Sequence, residues 1–437
     1  MNLKALLYTG CAVLATTSLF AETPSPINDT NTLSLEAAVS EVLSNNPSLK
    51  AARANWEAMR ERVPQVRAWE DPKFEMDATA GRFVSVPPNS FADQKFMLEQ
   101  ALPLSGKNRL QGKAADADAA AAFEQLRRSE LDAVRKARVA YYQLANAYAQ
   151  LDVNRRNVDL LKQFVEISRD KFKTGGQSES DVLNAETALA KLEEDEADIQ
   201  RQVLQAQIEL NRLMNRPPET LLGHPGESTF QPVNLSLEKL EGLAIAHRPE
   251  LFVAQEKIES AQARLEAARK EWIPDPGFRV EADRYNDAAQ AISEVDAGFS
   301  VRLPWFNRKK YQAGIRENRK LLESAEEDLR AAREDALSLV QNQFIEVETF
   351  HHHTELYKDK LLPLAEQTAN SKLSGYQSNK ENFLDLLTAQ QTVREVEAMY
   401  WDHLMHYRIG LAELESLVGT SLETATNSSV EHHHDLK

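Results

Sequence analysis

Val295-Asp296-Ala297-Gly298-Phe299-Ser300-Val301-Arg302-Leu303 places an apolar residue at every odd position and a polar or small one at every even position. Successive side chains of a strand point to opposite faces, so the stretch predicts a strand with one oily and one polar side. Two other segments repeat the pattern. Phe74, Met76, Ala78 and Ala80 alternate with Glu75, Asp77 and Thr79 in a strand expected near 73–83, and Phe278, Val280 and Ala282 alternate with Arg279, Glu281 and Asp283. A fourth segment, near 93–102, is less regular because Phe91 falls out of phase with Phe96, Leu98 and Leu102. Each is about 9 to 11 residues, the length of a tilted transmembrane strand. Soluble hairpins packed on helices would show the same period, and the alternation leaves both readings open. Four strands cannot close a barrel, and a spanning sheet cannot keep open edges in lipid. A membrane reading therefore requires a barrel shared between chains.

The stretch after each strand pair is of another kind. Between Lys113 and Thr174 there is no proline and no glycine, and about 60 uninterrupted residues predict a helix on the order of 90 Å long. A coiled coil accommodates that length. Its seam falls in sevens, with Leu144, Leu151, Val158, Val165 and Phe172 on the way out. Val182, Leu189, Val203 and Leu210 return beside Ala185, Leu192, Ile199, Ala206 and Leu213, as a and d positions do. The later returning helix carries Leu386, Val393, Tyr400, Tyr407 and Leu414 beside Ala389, Val396, His403, Gly410 and Leu417. Before the first strand, a helix is expected from Leu35 to about Pro64, with Ser34 as its N-cap.

The chain is written twice. Leu33-Ser34-Leu35-Glu36 returns as Leu235-Ser236-Leu237-Glu238, and Asn46-Pro47-Ser48-Leu49 as Arg248-Pro249-Glu250-Leu251, at one common offset. Phe172, Gly175, Ser178, Asp181 and Ala185 share their intervals of three, three, three and four with Tyr376, Asn379, Asn382, Asp385 and Ala389. The expected layout is a first repeat over 22–216, a linker over 217–234, rich in proline and glycine, and a second repeat over 235–420. A disordered tail is expected over 421–437.

The 437 residues are 42% hydrophobic and 27% charged, and no stretch of the body approaches the roughly 18 to 20 apolar residues of a spanning helix. The run Ala5–Phe20 after Lys4 reads as a secretory signal peptide over 1–21, cut after Ala21. Cys11 is the only cysteine. Its context faintly resembles a lipoprotein cleavage site, with too short an apolar run before it. The net charge of −16 argues against nucleic-acid binding. No nucleophile–base pair, phosphate loop or closed zinc-ligand spacing is present in the sequence, and neither an enzyme nor a cofactor is expected.

The order of strand pair, long hairpin, linker, strand pair, long hairpin resembles the TolC-like outer-membrane factor family over essentially the whole mature chain. The carriers are the duplicated Phe172/Tyr376 motif, Leu102-Pro103-Leu104-Ser105-Gly106-Lys107-Asn108-Arg109 after the second strand, and its counterpart Leu303-Pro304-Trp305-Phe306-Asn307-Arg308-Lys309. The branch most similar is the heavy-metal (cobalt-zinc-cadmium) efflux group. The resemblance implies a mixed α/β, mainly α membrane protein with long coiled-coil hairpins forming a periplasmic α-barrel. It also implies a homotrimer whose strands complete a twelve-stranded outer-membrane barrel, docked to a periplasmic adaptor and an inner-membrane RND-type pump.

At the hairpin turns, helix capping explains most of the motif: Gly175 ends one helix, Ser178 caps the next, and Asp181 sits at N3. The resemblance adds a pore role for Asp385, less so for Asp181, and adaptor contacts at Thr174, Gly175, Gly176, Ser378, Asn379 and Lys380. The family's second acidic position is Thr388 here. His351-His352-His353 on one helix cannot close on a single ion and reads as a solvated face; His403 reads as packed. His432, His433 and His434 are weak candidates for metal. Two other functions stay open: a type I secretion duct with the same fold, and a soluble periplasmic coiled-coil adaptor or scaffold.

Overall fold

A computed structural model describes residues 32–79, 83, 92–226, 230–233, 236–285, 291–378 and 380–422. The expected signal peptide, Cys11, Phe91, Asn379 and the His432–His434 triplet lie outside them.

Each half begins with a broken helix. Ser34 caps α1 (Leu35–Asn45) by accepting from Ala37 N–H, as its position predicts, but α1 does not run on to Pro64. Asn46 ends it and caps α2 (Pro47–Arg67). Pro47 has no N–H to continue the ladder and drives Asn46 into extended backbone. Asn46 Nδ2 then donates to Leu213 O at 3.0 Å, tying the break to the first hairpin. Arg248-Pro249 breaks the second half in the same way, between α5 (Leu237–His247) and α6 (Pro249–Lys270).

The strands β1 (Lys73–Ala78), β2 (Ala92–Ala101), β3 (Pro276–Tyr285) and β4 (Glu294–Val301) form one antiparallel sheet in chain order. Its register sets the apolar positions opposite one another: Phe74 to Leu98, Leu98 to Val280, Val280 to Ala297, and Phe278 to Phe299. A register shift between Ala92 and Gln94 interrupts the regular pairing at the start of β2, as a bulge does. The outer edges of β1 and β4 have no partner strand among the described residues.

The helices continue the order of the strands. α3 (Lys107–Lys173) has 67 residues, about 100 Å at 1.5 Å per residue, and returns as α4 (Glu179–Met214). The outgoing limb of the second half is not the single helix the repeat leads one to expect. α7 (Arg308–Leu356) passes through a π turn (Tyr357–Leu361) into α8 (Leu362–Gln377). Pro363 lacks an N–H for the ladder, and one wide turn absorbs the gap. α9 (Phe383–Val418) returns. Near the sheet the neighbours are α2–α3–α6–α7, and towards the turns α4–α3–α9 with α7 and α8 beyond.

The seam residues pack as the sevens predict. Leu144 and Leu210 are fully buried in one core with Leu151, Val203 and Leu213, while Leu386 lies in a second and Leu414 in a third. Gly410 is needed at its seam position, because a Cβ there would meet Val347 Cγ2 at 2.9 Å. Phe172 departs from expectation: it is 46% exposed, whereas its counterpart Tyr376 is 7% exposed. The linker is packed rather than loose. Leu33 N–H donates to His224 O and Gly226 N–H to Leu33 O, Tyr141 Oη donates to Leu33 O, and Val233 N–H donates to Tyr407 Oη. At the other end, Leu422 falls within the expected disordered tail but is 4% exposed, because it completes the core of α5, α7 and α9.

Candidate functional sites at the sheet and the hairpin tips

The sheet presents two chemically distinct faces. Phe299 is 76% exposed, Phe74 65% and Val295 62%, and the register places them on one side with Met76, Leu98 and Phe278. A contiguous apolar face of this kind is not left to water in a stable protein. The opposite face carries Glu75, Asp77, Lys95, Glu99, Arg279, Glu281 and Asp296, with Lys95 and Glu281 ion-paired across β2 and β3. Apolar outward and polar inward is the arrangement of a barrel wall around an aqueous lumen. None of the described helices is long and apolar enough to cross a membrane.

At the far end, the two turns are built by capping. Gly175 takes φ +75°, Gly176 N–H donates to Lys171 O at 2.8 Å, and Thr174 Oγ1 donates to Lys171 O at 2.9 Å. Ser178 and Asp181 cap each other's backbone in a complete capping box. In the second turn Asn382 accepts from Asp385 N–H at 2.8 Å, and Ser378 Oγ donates to Ser374 O at 2.8 Å. Capping thus accounts for Asp181, while the Asp385 carboxylate remains available for another partner.

The fold brings the two turns together through Tyr376 of the duplicated motif and two groups that the sequence did not single out, Gln177 and Lys171. Tyr376 Oη donates to Gln177 Oε1 at 2.7 Å, and the Lys171 ammonium stands 3.8 Å from the Tyr376 ring centroid. Thr174, Gly175 and Gly176 of one tip and Ser378 and Lys380 of the other are all exposed. Lys372 Nζ lies 3.0 Å from Glu381 and 3.9 Å from Asp385. Its hydrogen bond to Glu381 holds Lys372 above the usual lysine range, so the group stays charged. Lys372 and Glu381 meet only because the turn folds back on α8, and no periodicity marks such a pair.

The histidine triplet is not a solvated face. His352 is exposed, but His351 and His353 are half-buried against α9, with His351 stacked on Tyr407 at 5.6 Å and beside Phe230 at 5.5 Å. The reason is angular: residues about 100° apart on α7 reach different sides of a helix that packs on both the linker and α9.

An amphipathic sheet carried on a wall of helices about 100 Å long defines an outer-membrane duct that extends into the periplasm. The model of the outer membrane efflux protein family matches residues 38–216 and again 240–420, and the chain belongs to that family. It is an outer-membrane efflux channel subunit with the TolC-like fold. Among curated relatives it is similar to the cobalt-zinc-cadmium resistance protein CzcC of Cupriavidus metallidurans, 22% identical over 84% of this chain and 85% of that one. It is also similar to the toluene efflux pump outer membrane protein TtgF of Pseudomonas putida, 23% identical over 63% of this chain and 59% of that one. Of solved structures, the outer-membrane channel OprN superposes with a TM-score of 0.76 at 19% identity, covering 89% of this chain and 90% of OprN.

Proposed function

We propose that three copies of this chain close into the exit duct of a tripartite efflux assembly, which receives divalent heavy-metal cations from a periplasmic adaptor and an inner-membrane RND-type pump. The observation that carries the trimer is the sheet, whose apolar face is exposed and whose two edges are unpaired among the described residues. In lipid every backbone group needs a partner, and closure on further copies supplies it. Phe172 supports the same reading. Tyr376 is covered by the first hairpin of its own chain, and by the repeat relation a neighbouring copy would supply the hairpin that covers Phe172. The repeat boundaries at 22–216 and 235–420 belong to this reading. The exposed Leu183, Leu204 and Ile208 of α4 and Ile345 and Leu364 of α7 and α8 would then meet across the joint.

The metal cargo rests on CzcC, whose likeness spans more of the chain than that of TtgF. Deleting the gene in a strain that expresses its pump is expected to lower tolerance to zinc, cobalt, cadmium or copper several-fold. Unchanged tolerance to all four removes the cargo assignment and leaves the duct intact.

At the tips, a threefold axis would repeat Asp385 into a ring of three carboxylates, a focus for cations at the mouth. Thr174, Gly175, Gly176, Ser378, Asn379 and Lys380 form the adaptor-facing rim in this reading. Asp385→Ala is expected to reduce cation over anion selectivity of the reconstituted channel in planar bilayers. Identical selectivity and conductance would remove Asp385 from the pore.

A further inference from the structure

His353 of α7 and His403 of α9 face each other across the seam, their ring centroids 5.0 Å apart. The Nδ1 atoms of both are shielded from solvent, and neither is hydrogen-bonded to another group of the described chain. Buried polar atoms are almost always paired, and those that are not ask for an ion or a water. Phe350 stacks on His406 at 4.8 Å and lies 6.0 Å from His403, and Tyr357 closes the other side of His403 at 4.8 Å. The pair is thus flanked by aromatic rings, with the two imidazoles contributed by different helices.

We propose that His353 and His403 form a two-imidazole clamp for one borderline-soft divalent cation, Zn2+ or Cu2+, resident in the wall of the duct rather than passing through its lumen. Two imidazoles on one tetrahedral ion, with metal–nitrogen distances of about 2.0–2.1 Å, put their ring centroids about 5 Å apart, which matches the observed separation. Among the described residues no group of three or more His, Cys, Asp or Glu side chains is arranged to hold a metal. An ion held by two imidazoles would take water in its remaining positions. His406 stands apart, its Nε2 3.7 Å from Asp402 of its own helix. By joining α7 to α9 beside the π turn, a bound ion would stiffen the hairpin where the outgoing helix is least regular.

The test uses the full detergent-solubilised protein with His432, His433 and His434 replaced by alanine, so that the tail contributes no signal. Calorimetric titration with Zn2+ is expected to give one ion per chain, and Cu2+ to give an EPR spectrum with superhyperfine structure from two nitrogens. His353→Gln and His403→Gln are each expected to weaken binding about tenfold or more, with the superhyperfine pattern reduced to one nitrogen, while His406→Gln leaves both readouts unchanged. Binding that survives the His353→Gln/His403→Gln double variant overturns the clamp. So does loss that follows His406→Gln alone, or no binding at all in the parent. The proposal is independent of the cargo, since a duct for organic solutes could hold this ion, and metal tolerance could depend on a duct without it.

Discussion

Replacing Phe299 by arginine is expected to abolish assembly of the duct in the outer membrane, whereas Asp296→Arg, three residues away on the same strand, leaves it intact. The two positions differ in the face they occupy. Phe299 lies on the apolar side opposite Phe278, and a charged side chain on the lipid face of a barrel costs about 2–4 kcal/mol near the bilayer midplane. In the proposed trimer that cost would be met three times over. Asp296 lies on the polar side opposite Glu281, where a cation meets carboxylates and water. The measurement is the amount of detergent-resistant, heat-modifiable oligomer recovered from outer-membrane fractions. Equal recovery of the two variants would mean that the face bearing Phe299 does not meet lipid.

Gly419→Ala is expected to be the most damaging small change in the helical part. Gly419 ends α9 at φ +82°, a region that costs an L-residue roughly 1–2 kcal/mol, and a Cβ there would fall 2.7 Å from the carbonyl oxygen of His247. The obstacle is backbone at the α5–α6 break, which cannot swing aside as a side chain would, and overpacking adds typically about 1–3 kcal/mol. The whole core of α5, α7 and α9 depends on that seating. Gly175→Ala is the control, because its φ is +75° but nothing lies within 4 Å of the added Cβ. Thermal unfolding of the solubilised protein should show a clear fall for Gly419→Ala and a small one for Gly175→Ala. Equal falls would mean that backbone conformation alone sets both costs.

The periodic features of this fold were legible in the sequence because one face of each element is buried or apolar along its whole length. Val295 to Leu303 and the sevens from Leu144 to Val165 announce themselves in that way. What escaped was local. Pro47 and Pro249 break helices whose hydrophobic pattern runs on through them, and Pro363 widens a turn without disturbing the seam. Phe172 carries the pattern but lacks its cover within one chain. At the tips, Ser178, Asp181 and Asn382 could be read as caps because capping acts over three residues. Lys372–Glu381 and Lys171–Tyr376 could not, since turn geometry and the approach of two separate hairpins create them. The pairing of His353 with His403 was hidden for the same reason.

The linker strap has a mechanical consequence. It hydrogen-bonds to Tyr141 near the middle of α3 and to Tyr407 in the C-terminal third of α9, while the sheet holds the upper end of α3. A limb held at two points cannot pivot as a rigid rod. Any widening of the mouth must therefore come from flexure of the free lower arms, and the π turn at Tyr357–Leu361 places the most compliant segment of the wall just below the strap.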